Sequence, residues 1–191
     1  DGAAFTPMPR LTTSSAFRAE TLDIDGGGDQ DLVCYGTRVL FSNVEIFENT
    51  GPFAFRSVFS KSGGAFQRAG IGADFDGDGR DEFLLAASSG VRWIEKAGGQ
   101  FVERPLALPN FQVLAATNLV GDAKPELIGA GSSIVAAYGW TGSGYTKLWS
   151  ANESTKWVGF GDVDGDGATD ILTDKSWYAG DGRGGFGTAN P

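Results

Sequence analysis

Histidine is absent from this 191-residue sequence, and cysteine and methionine occur once each. Without imidazole there is no Ser-His-Asp or Cys-His nucleophile and no histidine-based zinc site. The one thiol, Cys34 in DLVCYG, has no second cysteine to pair with inside the chain, and its apolar strand context reads as a buried thiol. Basic residues are scarce too. Fifteen Lys and Arg stand against 24 Asp and Glu, for a net charge of −9, which excludes the clustered positive surface that nucleic acid requires. No apolar run approaches the length of a membrane span, so no membrane insertion is expected.

What is abundant is glycine, 30 residues, and phenylalanine, 14. Together they suggest many tight turns between short, aromatic-rich strands. The hydrophobic fraction of 41% is that of a globular protein, and the length suits a single domain, 1–191, with a substantial core.

The sequence repeats. Residues 23–33 read DIDGGGDQDLV, 74–84 DFDGDGRDEFL, 118–128 NLVGDAKPELI and 162–172 DVDGDGATDIL, with starts 51, 44 and 44 residues apart. A glycine turn followed by an aromatic recurs in step, at Phe5, Phe53, Phe101, Tyr145 and Phe186; the first four lie 17 to 21 residues before a carboxylate motif. Around each motif the signals are all β. One strand precedes it (FQRAGIGA, KWVGFG), and a short apolar strand follows (DLVCYG, EFLLAAS, ELIGAG, DILTD). A third strand (VEIFEN, VRWIEKA, IVAAYGW, SWYAG) leads through the glycine turn to a fourth (FVERPLAL, YTKLWSA). No segment sustains a 3.6-residue period, so helices should be nearly absent. Four short strands per repeat predict an all-β propeller of about four antiparallel blades. The N-terminal GAAFTPMPRL matches GGQFVERPLAL, and so reads as a fourth strand arriving before any first strand. It either closes the ring by joining the last blade, the favoured reading, or belongs to a preceding blade outside this chain. The C-terminal GGFGTANP starts one more such strand and stops early.

The pattern D-x-D-G-D-G-x-x-D offers side-chain oxygens at positions 1, 3, 5 and 9 and a backbone carbonyl at 7, while its glycines allow the backbone to wrap an ion. Carboxylates this close repel one another unless a cation joins them. Calcium suits an all-oxygen, irregular site, whereas transition metals favour nitrogen and sulfur. Two copies are complete: Asp162, Asp164, Asp166, the Ala168 carbonyl and Asp170; and Asp74, Asp76, Asp78, the Arg80 carbonyl and Glu82. A further site is formed by Asp23, Asp25 and Asp31, where Gly27 replaces the carboxylate at position 5 and Asp29 compensates in part. In the remaining copy Asn118 and Val120 occupy positions 1 and 3, and no tight ion is expected. The alternative for any of these loops is an Asp/Gly turn held by Asx hydrogen bonds without metal. Asp166→Ala is accordingly expected to lower calcium affinity and stability, and Asn118→Ala to change calcium binding little.

With these repeats and ligands the sequence resembles the FG-GAP or VCBS repeats of integrin α-subunits, fungal propeller lectins and secreted bacterial proteins. The resemblance implies structural calcium in the loops, without catalysis, and an extracellular setting, secreted or at the cell surface, where free calcium fills modest sites. Integrin and lectin propellers of this kind carry more blades than the four repeats here.

Five tryptophans and four tyrosines invite a carbohydrate reading, because sugar C–H faces pack on aromatic rings. The candidates are Trp93, Trp140, Trp177 and Tyr178, with Trp93 and Tyr178 in equivalent third-strand positions, each eight residues before a turn aromatic. They line repeated pockets between blades, or they fill the inter-blade core. Three functional classes follow: a calcium-stabilised module binding glycan or a cell-surface glycoprotein; a structural or adhesive domain, including a homo-oligomer; and, least favoured, a polysaccharide lyase or dehydratase. No catalytic residue stands out.

Overall fold

The computed structural model describes residues 18–38, 41–52, 54–62 and 67–191. Fifteen strands form four antiparallel sheets, and no helix occurs among the described residues. The first sheet holds β1 (Arg18–Leu22), β2 (Asp31–Arg38), β3 (Phe41–Gly51) and β4 (Ala54–Ser62). The second holds β5 (Gln67–Ala73), β6 (Glu82–Ala87), β7 (Gly90–Ala97) and β8 (Gln100–Leu106). The third holds β9 (Val113–Thr117), β10 (Glu126–Ala130), β11 (Val135–Trp140) and β12 (Tyr145–Ala151). The fourth has β13 (Val158–Gly161), β14 (Asp170–Thr173) and β15 (Trp177–Tyr178). Within every sheet the strands pair in chain order, and each repeat predicted from the motif spacing corresponds to one sheet.

The sheets succeed one another as propeller blades. Their first strands lie side by side, β1 against β5, β5 against β9 and β9 against β13. Strand alternation sends one set of side chains toward the preceding blade and the other toward the next. Val33, Tyr35, Val44 and Ile46 of blade 1 meet Phe83, Leu85 and Ile94 of blade 2. Leu84, Ala86, Val91 and Trp93 of blade 2 meet Phe111, Leu127, Ala136 and Tyr138 of blade 3. Ile128, Ala130, Val135 and Ala137 of blade 3 meet Ile171 and Tyr178 of blade 4. Each large side chain so buried stabilises the stack by roughly 1.5–3 kcal/mol. Glycine permits close approach where rings cross the junction. A Cβ on Gly70 would fall 2.4 Å from the Phe83 ring and 2.8 Å from that of Tyr35.

The outer edge of blade 4 carries the short fourth strand that GGFGTANP was expected to start. Residues 185–190 bridge to β15: Trp177 donates its N–H to the Asn190 carbonyl at 2.8 Å, Asn190 returns the bond at 2.9 Å, and Gly187 donates to Ala179 at 2.9 Å. The C-terminal segment therefore takes the fourth-strand position of its own blade. The N-terminal strand, with Phe5, lies outside the described residues, as does Phe53.

Candidate metal loops and an inter-blade cleft

Each carboxylate motif connects the first and second strands of its blade, and the ninth position does the same work in all four. Its side chain is buried and reaches back to the backbone N–H of position 2. Asp31 accepts from Ile24 at 3.2 Å, Glu82 from Phe75 at 2.9 Å, Glu126 from Leu119 at 2.7 Å and Asp170 from Val163 at 2.7 Å. Where the residue is aspartate, the second oxygen takes a third-strand or post-strand amide, Asn49 for Asp31 and Gly180 for Asp170, both at 2.8 Å. This carboxylate closes the loop through its own hydrogen bonds.

Position 1 folds the loop tip. Asp74 accepts N–H bonds from Gly77, Asp78 and Gly79, and Asp162 from Gly165 and Gly167, at 2.7–3.1 Å. The glycines at positions 4 and 6 have φ of +79° and +88° in the second loop and +81° and +89° in the fourth, backbone that other residues rarely adopt. In the third loop the Asn118 amide substitutes: its oxygen accepts from Gly121 at 2.6 Å and its nitrogen donates to the Asp122 carbonyl.

Among the described residues three groups of carboxylates converge, with one oxygen from each member within 4.8 Å of the others. The second loop unites all four predicted side chains, Asp74, Asp76, Asp78 and Glu82. The first unites Asp23, Asp25 and Asp31, and the fourth Asp162, Asp164 and Asp170. Asp29 and Asp166 stand outside these groups. Asp166 caps the Ala168 N–H at 2.8 Å, as Asp78 caps that of Arg80 at 2.9 Å. In the second loop burial, then the charges of Asp76, Asp74 and Asp78, pushes the Glu82 carboxyl up to about 8. In the first loop, Oδ1 of Asp23 is buried and accepts no hydrogen bond. Four crowded acids and an orphaned oxygen fit a hard cation, and nitrogen and sulfur ligands are missing. Asp74→Ala is thus expected to abolish one calcium site and Asn118→Ala none, read as bound calcium per chain by equilibrium dialysis.

The sequence did not disclose how neighbouring loops lean on one another. Asp23 and Asp81 exchange two bonds of 2.8 Å between blades 1 and 2. The Arg80 side chain packs over Gly26 and that of Lys124 over Gly77, so position 7 of one loop covers position 4 of the loop before it. Lys96, at the end of β7, reaches Asp25 at 3.0 Å and Glu48 at 2.8 Å. With Arg56 it holds the Glu48 carboxyl well below the usual range.

The candidate aromatics divide. Trp93 is fully buried, stacked on Trp140 at 4.7 Å with Arg104 4.5 Å over its ring, and no face is left for a sugar. Tyr178 is buried as well. It packs on Trp149 and donates to Glu153 at 2.6 Å, and burial followed by that contact pushes its hydroxyl up to about 12. Both are inter-blade core. Trp140 and Trp177 are half-buried. The expected equivalence of Trp93 and Tyr178 is also corrected. Leu84 pairs with Trp93 and Leu172 with Trp177, so Trp177 is the counterpart of Trp93 and Tyr178 that of Ile94. The turn in blade 4 is one residue longer, and a one-residue shift reverses the face.

The concave surface between blades lies elsewhere. A cleft of about 440 Å³ separates the outer strands of blade 1 from the β7–β8 turn of blade 2. Phe59 and Phe101, with centroids 6.0 Å apart, form an apolar wall, and Glu48, Arg56, Lys96 and Gln100 supply polar groups. A second cleft of about 300 Å³, between blades 2 and 3, holds Arg104, Leu106, Ser143 and Tyr145 at the corresponding turn. Two turn aromatics, read from the sequence only as markers of the repeat, line them: Phe101 the first and Tyr145 the second. Nothing in the sequence signalled Glu48, Arg56 or Lys96.

The family model of an FG-GAP-like repeat matches residues 23–85. No curated protein matches the chain in sequence. Among solved structures, a lectin of Agrocybe aegerita, described for its specific recognition of non-reducing terminal N-acetylglucosamine, is similar with a TM-score of 0.61 and 21% identity. The likeness covers 89% of this chain and 50% of the lectin, so the chain spans about half that protein's length. At this identity it shows the fold, a propeller-type repeat.

Proposed function

We propose that this chain, with an FG-GAP-like repeat at residues 23–85, is a calcium-stabilised extracellular module that binds carbohydrate. The observation that carries the reading is the cleft between blades 1 and 2. It has the volume of a small-ligand site, and it sets two phenylalanines beside a carboxylate, a guanidinium, an ammonium and an amide. Sugars need that pairing, an apolar surface for C–H faces and fixed charges for hydroxyls. The lectin with the same fold supports the reading by analogy. Calcium in the second loop, held by Asp74, Asp76, Asp78 and Glu82, supplies the positive charge that lets these acids ionise together; the first and fourth loops offer three side chains each. Sites of this kind fill where free calcium is millimolar, which supports a setting outside the cell or on its surface. Binding rather than turnover is expected, because the acids are engaged in closing loops.

The test is a glycan array in millimolar calcium, repeated in EDTA, with melting curves on both samples. Saturable hits, a lower melting temperature in EDTA, and loss of hits on unfolding are expected. Arg56→Ala removes an exposed ion pair with Glu48 that contributes little to stability. It should weaken glycan binding by about tenfold, or 1.4 kcal/mol, with melting unchanged. A calcium-dependent melt without glycan hits would replace carbohydrate by protein adhesion, and cleavage of an acidic polysaccharide would overturn the non-enzymatic reading.

A further inference from the structure

The first carboxylate loop already carries a cation, and blade 2 supplies it. Lys96, at the end of β7, sets its ammonium 3.0 Å from Oδ2 of Asp25, position 3 of that loop, and 2.8 Å from Oε1 of Glu48. The pair is sheltered, with the lysine side chain 21% and the aspartate 18% exposed. Oδ1 of the same aspartate accepts from Gly27 at 2.9 Å, so both oxygens of Asp25 are engaged by the chain itself. Arg80 adds a second cation, packing over Gly26 and donating to the Lys96 carbonyl at 3.3 Å. The corresponding positions of the other blades do nothing of the kind. Lys96 pairs with Phe101 as Trp140 pairs with Tyr145 and Gly180 bridges to Phe186. Trp140 stacks on Trp93, and glycine has no side chain, so neither can neutralise an acid. The lysine thus stands against the loop in which Gly27 has replaced the position-5 acid. Three converged acids there face Lys96 and Arg80, whereas the second loop has four, with Lys124 over its tip.

We propose that Lys96 is the built-in counter-ion of the first loop: its ammonium, rather than calcium, neutralises Asp25, and calcium enters this loop only in competition with blade 2. The inference rests on the calcium reading of the loops and is independent of the carbohydrate reading. An ammonium and a divalent ion that share one carboxylate repel each other across a few ångströms, enough to weaken binding about tenfold even at the dielectric constant of water. Glu48 makes the exchange feasible. It already accepts from Lys96 at 2.8 Å, so the ammonium keeps a partner when Asp25 turns to another cation. Loss of the position-5 acid and gain of the lysine act in the same direction. Both lower the loop's demand for an added ion, and the second loop shows neither change.

Calcium titration of the whole chain by equilibrium dialysis, with melting curves in calcium and in EDTA, tests it. Lys96→Met keeps a side chain of similar length and removes the charge. It is expected to tighten one calcium site about tenfold and to widen the melting difference between calcium and EDTA. Lys96→Arg, which keeps the charge, should bind calcium as wild type does. So should Lys61→Met, whose ammonium pairs with Glu103 instead. Adding Asp25→Asn to Lys96→Met should cancel the gain. If the methionine variant does not fold, Lys96→Gln gives the same reading, with an amide left to bond Glu48. Unchanged or weaker binding in Lys96→Met, beside a wild type that does bind calcium, would overturn the proposal and leave the calcium reading standing. A gain that survives Asp25→Asn would overturn it as well. No bound calcium in either protein would overturn both.

Discussion

Asp170→Ala is expected to destabilise the protein by about 3–5 kcal/mol with calcium chelated, and by more with calcium present, because the same carboxylate is one of the fourth loop's three converged ligands. The Asp170 carboxylate is fully buried and accepts from Val163 at 2.7 Å and Gly180 at 2.8 Å. Alanine leaves both amides without a partner, at about 1–3 kcal/mol each, and removes hydrogen bonds strengthened by the acceptor's charge. For a chain of this length the melting temperature falls by roughly 2–4 °C per kcal/mol, so a drop on the order of 10 °C is expected. Asp166→Ala is the control. Its carboxylate caps one exposed amide at a loop tip and stands outside the converged group, so in EDTA it should cost less than about 1 kcal/mol. Circular-dichroism melts of both variants, with and without EDTA, decide the matter. Equal losses in EDTA would show that the ninth position has no role apart from the ion.

Trp93→Ala should cost about 3–5 kcal/mol, the usual range for removing a large aromatic from a packed core. Trp93 is fully buried, stacked on Trp140 with an interplanar angle of 16°, and in contact with Phe75 and Tyr145. Its loss would open the junction between blades 2 and 3 and remove the platform under Arg104. The indole N–H is buried without a hydrogen-bond partner, so Trp93→Phe sacrifices volume but no hydrogen bond and should retain most of the stability. Val102→Ala, on an exposed side chain of β8, should change stability by less than about 0.5 kcal/mol. Urea denaturation gives all three values. Were Trp93→Ala as mild as Val102→Ala, the ring would not be part of the core.

How much of this was legible in the sequence depends on whether a feature is local. The carboxylate loops are local: nine residues carry both their ligands and their turn chemistry, and the structure closes all four at the predicted positions. The strands beside them alternate clearly enough for the sheet count to follow. Counting backwards from a glycine turn failed, because turns tolerate an extra residue and strands do not; from the carboxylate motif forward, Trp93 and Trp177 fall into register. The pairing of Asn190 with Trp177 involves isolated bridges, too short for any periodicity. The contacts of Lys96 with Asp25 and Glu48 span 71 and 48 residues. They arise from the angle between two blades, a quantity no window of sequence contains.

The ninth-position carboxylate also separates two tasks commonly assigned to one motif. In the third loop, Glu126 still bonds Leu119 and Val120 although Asn118 and Val120 have replaced the acids at positions 1 and 3. A repeat can therefore lose its acids at positions 1 and 3 and keep its shape, so long as this one acid survives. Gene duplication followed by drift then has a permitted route, from an array in which every loop carries the full set of acids to one in which individual loops do not, without passing through a misfolded ancestor.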